Sequence, residues 1–146
     1  MTLAKTANQS TVTVSGHKVE MHKGGSGPAL LFLHGGGGFG TFDPTNSALS
    51  ERFTVYAPSH PGFFGTERPG WLYTINDVAH FYKDLVAELG LGEYVLVGHS
   101  VGGWIAAEMA SMDHHNIKGL VLIDAAGVRP EKGEIAEVFM VSGETR

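Results

Sequence analysis

Two glycine-rich clusters hold the residues on which chemistry could rest. In the first, Gly98-His99-Ser100-Val101-Gly102-Gly103, a serine has glycine two places before it and two places after. The cluster follows the apolar run Tyr94 to Val97 and opens a stretch rich in small residues, Val101 to Met112. A G-x-S-x-G pattern between a strand and a helix is the arrangement of a nucleophile raised on a sharp turn. The reason is steric. Strained backbone angles lift the serine Oγ above the strand ends, and the tight turn leaves no room for side chains at Gly98 and Gly102. Gly103 lets the helix pack closely on the sheet, and the helix N-terminus favours negative charge developing near Ser100. Ser100 is therefore the expected nucleophile. His99 is read as a packing or hydrogen-bonding partner below the turn. The competing reading of the same residues is a glycine-rich turn with an incidental serine.

The second cluster, His34-Gly35-Gly36-Gly37-Gly38, begins where the apolar run Ala29 to Leu33 ends. Acyl transfer to a serine passes through a tetrahedral oxyanion that needs preorganised N–H donors. Glycines let backbone amides approach such a centre unobstructed. The expected pair is the amide of Val101 and that of Gly36, with Gly37 as a substitute for the latter, while His34 shapes the turn. Gly35-x-Gly37-x-x-Gly40 also fits a dinucleotide fingerprint after a strand. That reading wants an acidic residue at the end of the next strand, where the sequence has Pro58-Ser59-His60.

The intervening chain supplies a scaffold that can position both clusters. Thr11 to Ser15 and His17 to His22 alternate as two short strands around Ser15-Gly16, a hairpin pattern. Ala29 to Leu33 is continuously apolar, as a strand buried on both faces requires. A short helix is expected after Pro44, then a strand over Phe53 to Ala57. Ile75, Val78, Ala79, Tyr82, Leu85, Val86 and Leu89 recur at spacings of three and four, one face of a helix with Lys83, Asp84 and Glu88 turned outward. Thr74 and Asp77 resemble its cap, and Gly90 stops it. Gly119 to Ile123 is the last clear strand. Alternation of strand and helix implies an α/β fold with a mostly parallel sheet covered on both faces.

Composition narrows the function. The chain has 146 residues, enough for one domain. Lys plus Arg is 10 and Asp plus Glu is 15, for a formal charge of −5. This balance argues against nucleic acid as a partner, since phosphate contacts need a basic face, and against a polybasic membrane-surface protein. With Cys 0, disulfides, thiol nucleophiles and cysteine metal sites are excluded. No apolar run reaches the ~20 residues of a membrane span, and the first residues lack the apolar core of a secretory signal. The expected location is the cytoplasm, with which the lack of cysteine is compatible. Metal sites find little support: His114-His115 are adjacent and diverge, His17 and His22 fall on opposite faces of a strand, and no H-E-x-x-H occurs. No cofactor is expected.

The order of these features resembles the α/β-hydrolase superfamily from roughly Val12 to Val128. A glycine loop follows one strand, His60-Pro61-Gly62-Phe63-Phe64-Gly65 follows the next, and the serine elbow comes third. The resemblance implies the N-terminal part of a serine hydrolase core, a mostly parallel twisted sheet with helices on both faces, truncated before the last strands. Residues 1–130 would belong to this core and 131–146 to the start of a lid segment or a disordered tail. Relatives that open epoxides or remove halide carry Asp at the elbow, so Ser100 points instead to esters or related acyl bonds, or to carbon–carbon bond hydrolysis. The substrate class implied is a small acyl or ester molecule.

Family triads run Ser, then Asp or Glu, then His along the chain, and the strands that usually bear the last two are missing here. Asp124, at the end of the last strand, is the one candidate acid; the competing reading is a residue that caps a turn. His114 and His115 lie at the far end of the elbow helix, His17 and His22 in the peripheral hairpin, and His80 on a solvent face. His60 is on the correct edge but on a strand not expected beside the elbow. The general base is thus expected outside this chain, which alone should turn over substrate weakly or not at all. Trp104 is read as core. Phe39, Phe42, Phe63, Phe64 and Trp71 either line an acyl pocket or cover the sheet. Gly119 to Ile123 is expected to form an exposed sheet edge, a template for self-association. The alternative function is a non-catalytic ligand-binding or receptor protein on the same fold.

Overall fold

Ser15 and Gly16 both take left-handed backbone angles, with φ of +48° and +82°. Two such residues make the tight turn whose twist matches paired antiparallel strands. They join β1 (Asn8–Val14) to β2 (His17–Gly24) in register from Asn8 opposite Lys23 to Val14 opposite His17. The computed structural model describes residues 7–37 and 42–133. The proposed lid or tail segment therefore lies largely outside the described residues, as do Gly38, Phe39 and Gly40.

The remaining elements alternate. β3 (Ala29–Leu33) is followed by α1 (Pro44–Leu49), β4 (Thr54–Pro58), α2 (Ile75–Glu88), β5 (Tyr94–His99), α3 (Val101–Met112) and β6 (Ile117–Ile123). The sheet order is β1-β2-β4-β3-β5-β6. β3 pairs in parallel with β4 on one side and β5 on the other, and β5 pairs in parallel with β6. This is the mostly parallel α/β architecture expected from the sequence.

Alternation along the central strands divides the core in two. Leu31, Leu33 and Leu96 face a cluster completed by Phe81, Tyr82 and Leu85 of α2 and Ile105 and Met109 of α3. Leu30, Phe32, Val55 and Val97 face the opposite layer, where Phe42 and Leu49 pack. Phe42 thus covers the sheet. α2 begins at the expected place, with a reciprocal cap: the Asp77 amide donates to Thr74 Oγ1, and the Thr74 amide donates to Asp77 Oδ2 at 2.8 Å.

Two side chains depart from expectation. Phe81, absent from the predicted apolar stripe, is fully buried and packs against Trp71 at a ring separation of 6.4 Å. The segment before α2 folds back over the helix, so its buried surface is wider than one stripe. Trp104, expected in the core, is 37 % exposed and donates its indole N–H to Glu108 at 3.3 Å.

The topology decides where a site can form. After β3 the chain goes to β4 on one side and then crosses to β5 on the other. In an open parallel sheet, the loops leaving strands on either side of such a reversal part and leave a crevice at the carboxyl ends. The loops that leave β3 at His34-Gly35-Gly36-Gly37 and β5 at Ser100 lie on either side of this reversal.

Candidate active site

Ser100 joins β5 to α3 with φ +53° and ψ −119°. A non-glycine residue in such a conformation is strained and persists only where its surroundings enforce it. Here they do so on both sides. The Ser100 amide donates to Ile123 O at 2.9 Å, and Ser100 O accepts from the amides of Gly103 at 3.0 Å and Ala126 at 3.0 Å.

The flanking glycines are required by space. A Cβ on Gly98 would lie 2.6 Å from Gly103 Cα, and one on Gly102 would lie 2.6 Å from the Leu33 carbonyl carbon. A Cβ on Gly103 would lie 2.6 Å from Ala125 Cβ. Strand, elbow helix and the start of the glycine loop therefore meet backbone to backbone.

The same close approach brings the two clusters together. A Cβ at Gly35 would lie 2.8 Å from His99 Nδ1 and 3.4 Å from Ser100 Cβ, and one at Gly36 would lie 4.0 Å from Val101 Cγ1. The glycine loop thus adjoins the elbow, with His99 against Gly35. Among the described residues, nothing lies within 4 Å of a Cβ placed on Gly37. Asp124 follows β6 with φ +44° and is exposed. It lies between Ile123, which accepts from Ser100, and Ala126, which donates to it.

Beneath the loop is a buried polar network that the sequence did not disclose. The amide of His60 donates to His34 Nε2 at 2.9 Å, and His60 Nε2 donates to the His34 carbonyl at 2.6 Å. His34 Nδ1 donates to the Gly35 carbonyl at 2.7 Å. The Tyr82 hydroxyl donates to His60 Nδ1 at 2.5 Å. The acceptors fix both tautomers: His34 carries its proton on Nδ1 and His60 on Nε2. Burial, helped by the adjacent His34 ring, pushes His60 down to about 3. Burial lowers His34 as well, against the raising influence of its bond to Gly35, and raises the Tyr82 phenol. His60 is on the expected edge, but both ring nitrogens are engaged and its imidazole is neutral. The one signal in the sequence was a histidine directly after a strand that faces the loop; its partner Tyr82 belongs to another element.

Phe63 sits edge-on to His34 at 5.4 Å between ring centroids, while Phe64 and Trp71 are 49 % and 44 % exposed. His80, His114 and His115 are exposed, the last bound to Asp113 at 2.9 Å. Among the described residues no cluster of three or more His, Cys, Asp or Glu is placed to hold a metal ion. Among them, too, no helix is long and apolar enough to cross a membrane.

Strand order, strained serine elbow and adjoining glycine loop define a protein of the α/β-hydrolase class. The family model described as alpha/beta hydrolase fold matches residues 28–141, and the chain belongs to that family. It is 34% identical over 117 residues to an uncharacterised protein of Mycobacterium tuberculosis, covering 80% of this chain and 34% of that protein. It is 35% identical over 101 residues to 2-(acetamidomethylene)succinate hydrolase of Mesorhizobium japonicum, covering 68% of this chain and 36% of that enzyme. Among solved structures, a bacterial membrane phospholipase A superposes with a TM-score of 0.77 at 31% identity, covering 87% of this chain and 42% of that one. The chain thus spans about a third of the length of these curated relatives.

Proposed function

We propose that the protein carrying this chain is a serine hydrolase of esters or related acyl bonds. Ser100 is the nucleophile. Its Oγ attacks the acyl carbon while a general base takes its proton, and the resulting oxyanion accepts from the amides of Val101 and Gly36. Collapse expels the alcohol with that proton, and water then releases the acid. The observation that carries this reading is the φ of +53° at Ser100, on a strand-to-helix turn beside the glycine loop. Known hydrolases among the relatives support it.

The base comes from the full-length protein outside these 146 residues. His34 and His60 are consumed by their own hydrogen bonds, and His99 is packed against Gly35. His17 and His22 belong to the β1–β2 hairpin, and His80, His114 and His115 are exposed on α2 and beyond the end of α3. Asp124 is the candidate acid within this chain; the acid otherwise comes, like the base, from the rest of the full-length protein. The chain alone is expected to show only the contribution of binding and oxyanion donors, about 10³–10⁴-fold over water. Leu120, Val121 and Leu122 of edge strand β6 are 41 %, 47 % and 40 % exposed, so the isolated chain is also expected to associate through them. Light scattering of a stable monomer would count against that.

The deciding experiment is reaction of the full-length protein with a fluorophosphonate probe, followed by peptide mapping. Labelling at Ser100, abolished in Ser100→Ala, is the expected result. Labelling elsewhere rejects the assignment. A protein that binds acyl ligands yet neither labels nor hydrolyses is the non-catalytic receptor instead.

A further inference from the structure

We infer that Tyr82, on helix α2, is a positioning residue for the oxyanion loop, acting through His60 and His34 on the peptide between Gly35 and Gly36. The inference rests on the serine-hydrolase reading above and adds residues to it that do not touch the reacting atoms.

Tyr82 donates to His60 Nδ1, which obliges the neutral ring to carry its proton on Nε2. That proton is given to the His34 carbonyl, and the His60 amide is given to His34 Nε2. With Nε2 accepting, His34 must carry its proton on Nδ1, which it donates to the Gly35 carbonyl. In a planar trans peptide the carbonyl of one residue and the N–H of the next point in opposite directions. Holding Gly35 O toward the His34 ring therefore fixes the direction of the Gly36 N–H, the donor assigned to the oxyanion. Glycines on both sides of that peptide offer little resistance to a flip, so the loop needs such a restraint from outside itself. The restraint is buried: Tyr82 is fully inaccessible and His34 and His60 are 4 % exposed, so water competes poorly for these donors and acceptors.

The test compares the full-length wild type with Tyr82→Phe, His60→Asn and His60→Gln, using p-nitrophenyl acetate turnover and fluorophosphonate labelling. Tyr82→Phe, which removes a single oxygen, is expected to lower kcat about tenfold with KM within twofold, a fraction of the 10²–10³ lost when an oxyanion donor is deleted. His60→Asn, whose amide cannot reach the His34 carbonyl, should lose at least as much. His60→Gln, which places an N–H near the Nε2 position, should recover most of it. Nitrogen-15 spectra of the histidine rings provide a reading independent of activity: His34 should appear as the Nδ1–H tautomer and His60 as Nε2–H. A wild type that reacts at Ser100 alongside equally reactive Tyr82→Phe and His60→Asn proteins overturns the inference alone. So does a His34 ring protonated on Nε2. A wild type that fails to react at Ser100 overturns the underlying reading and the inference with it.

Discussion

The backbone N–H of Ser100 is bonded to the carbonyl of Ile123 at 2.9 Å, tying the elbow to the end of the neighbouring strand while φ at Ser100 stays at +53°. Strain of this kind costs about 1–3 kcal/mol in a residue with a side chain. Glycine escapes it but gives back about 0.5–1 kcal/mol through its freer unfolded chain. Ser100→Gly is therefore expected to stabilise the full-length protein by about 1 kcal/mol while eliminating fluorophosphonate labelling. Urea titration should show a higher midpoint at unchanged slope. A lower midpoint would mean that the elbow is not strained.

Gly102 faces the Leu33 carbonyl across the junction of α3 and β3, and the atoms in the way of a side chain are backbone. Gly102→Ala must push the helix from the strand or displace the glycine loop. A loss of about 1–3 kcal/mol is expected, with labelling at Ser100 slowed at least tenfold. Gly92→Ala is the control, since a Cβ there meets nothing within 4 Å, and it should change stability by no more than about 0.5 kcal/mol.

The elbow was legible because its requirements are local. A sharp strand-to-helix turn restricts residues within two positions of Ser100, and those restrictions are printed in the sequence as Gly98 and Gly102. The glycine loop was legible for the same reason, and the central strands because burial on both faces leaves a continuous apolar run at Ala29 to Leu33. What stayed hidden was long-range. The bond from Tyr82 to His60 joins a helix to a strand end, and Tyr82 reads in the sequence as one more apolar-stripe residue. Phe81 was missed because a helical stripe assumes one buried face, whereas Trp71 covers a second. Trp104 was misplaced because an aromatic one turn into a helix reads as core, yet the helix rotates it outward to Glu108.

Asp124 is testable because its backbone favours a conservative exchange. At φ +44°, asparagine is among the side chains that tolerate the left-handed region, so Asp124→Asn should leave the fold intact. If this carboxylate orients the base, kcat of the full-length protein should fall by about 10⁴-fold, as when a triad aspartate is replaced by its amide. A change below threefold removes Asp124 from the machinery and leaves it as a turn residue.

The buried histidines make stability depend on pH in a definite direction. His60 is lowered from 6.5 to about 3 in the folded protein, by burial first and by the neighbouring His34 ring second. Between those values the unfolded chain binds a proton that the folded chain refuses. Its contribution to stability is therefore complete above pH 6.5 and is lost as pH falls toward 3, with a slope approaching about 1.4 kcal/mol per pH unit. His34 shifts in the same direction. Carboxylates titrate in the same range, so the informative quantity is the difference between wild type and His60→Gln in denaturant unfolding at pH 7.5, 5.5 and 4.5. The wild type should lose roughly 2–3 kcal/mol more than the variant by pH 4.5. Parallel losses in the two proteins would show that His60 is protonated in the native state, and a charged ring there could not accept from Tyr82.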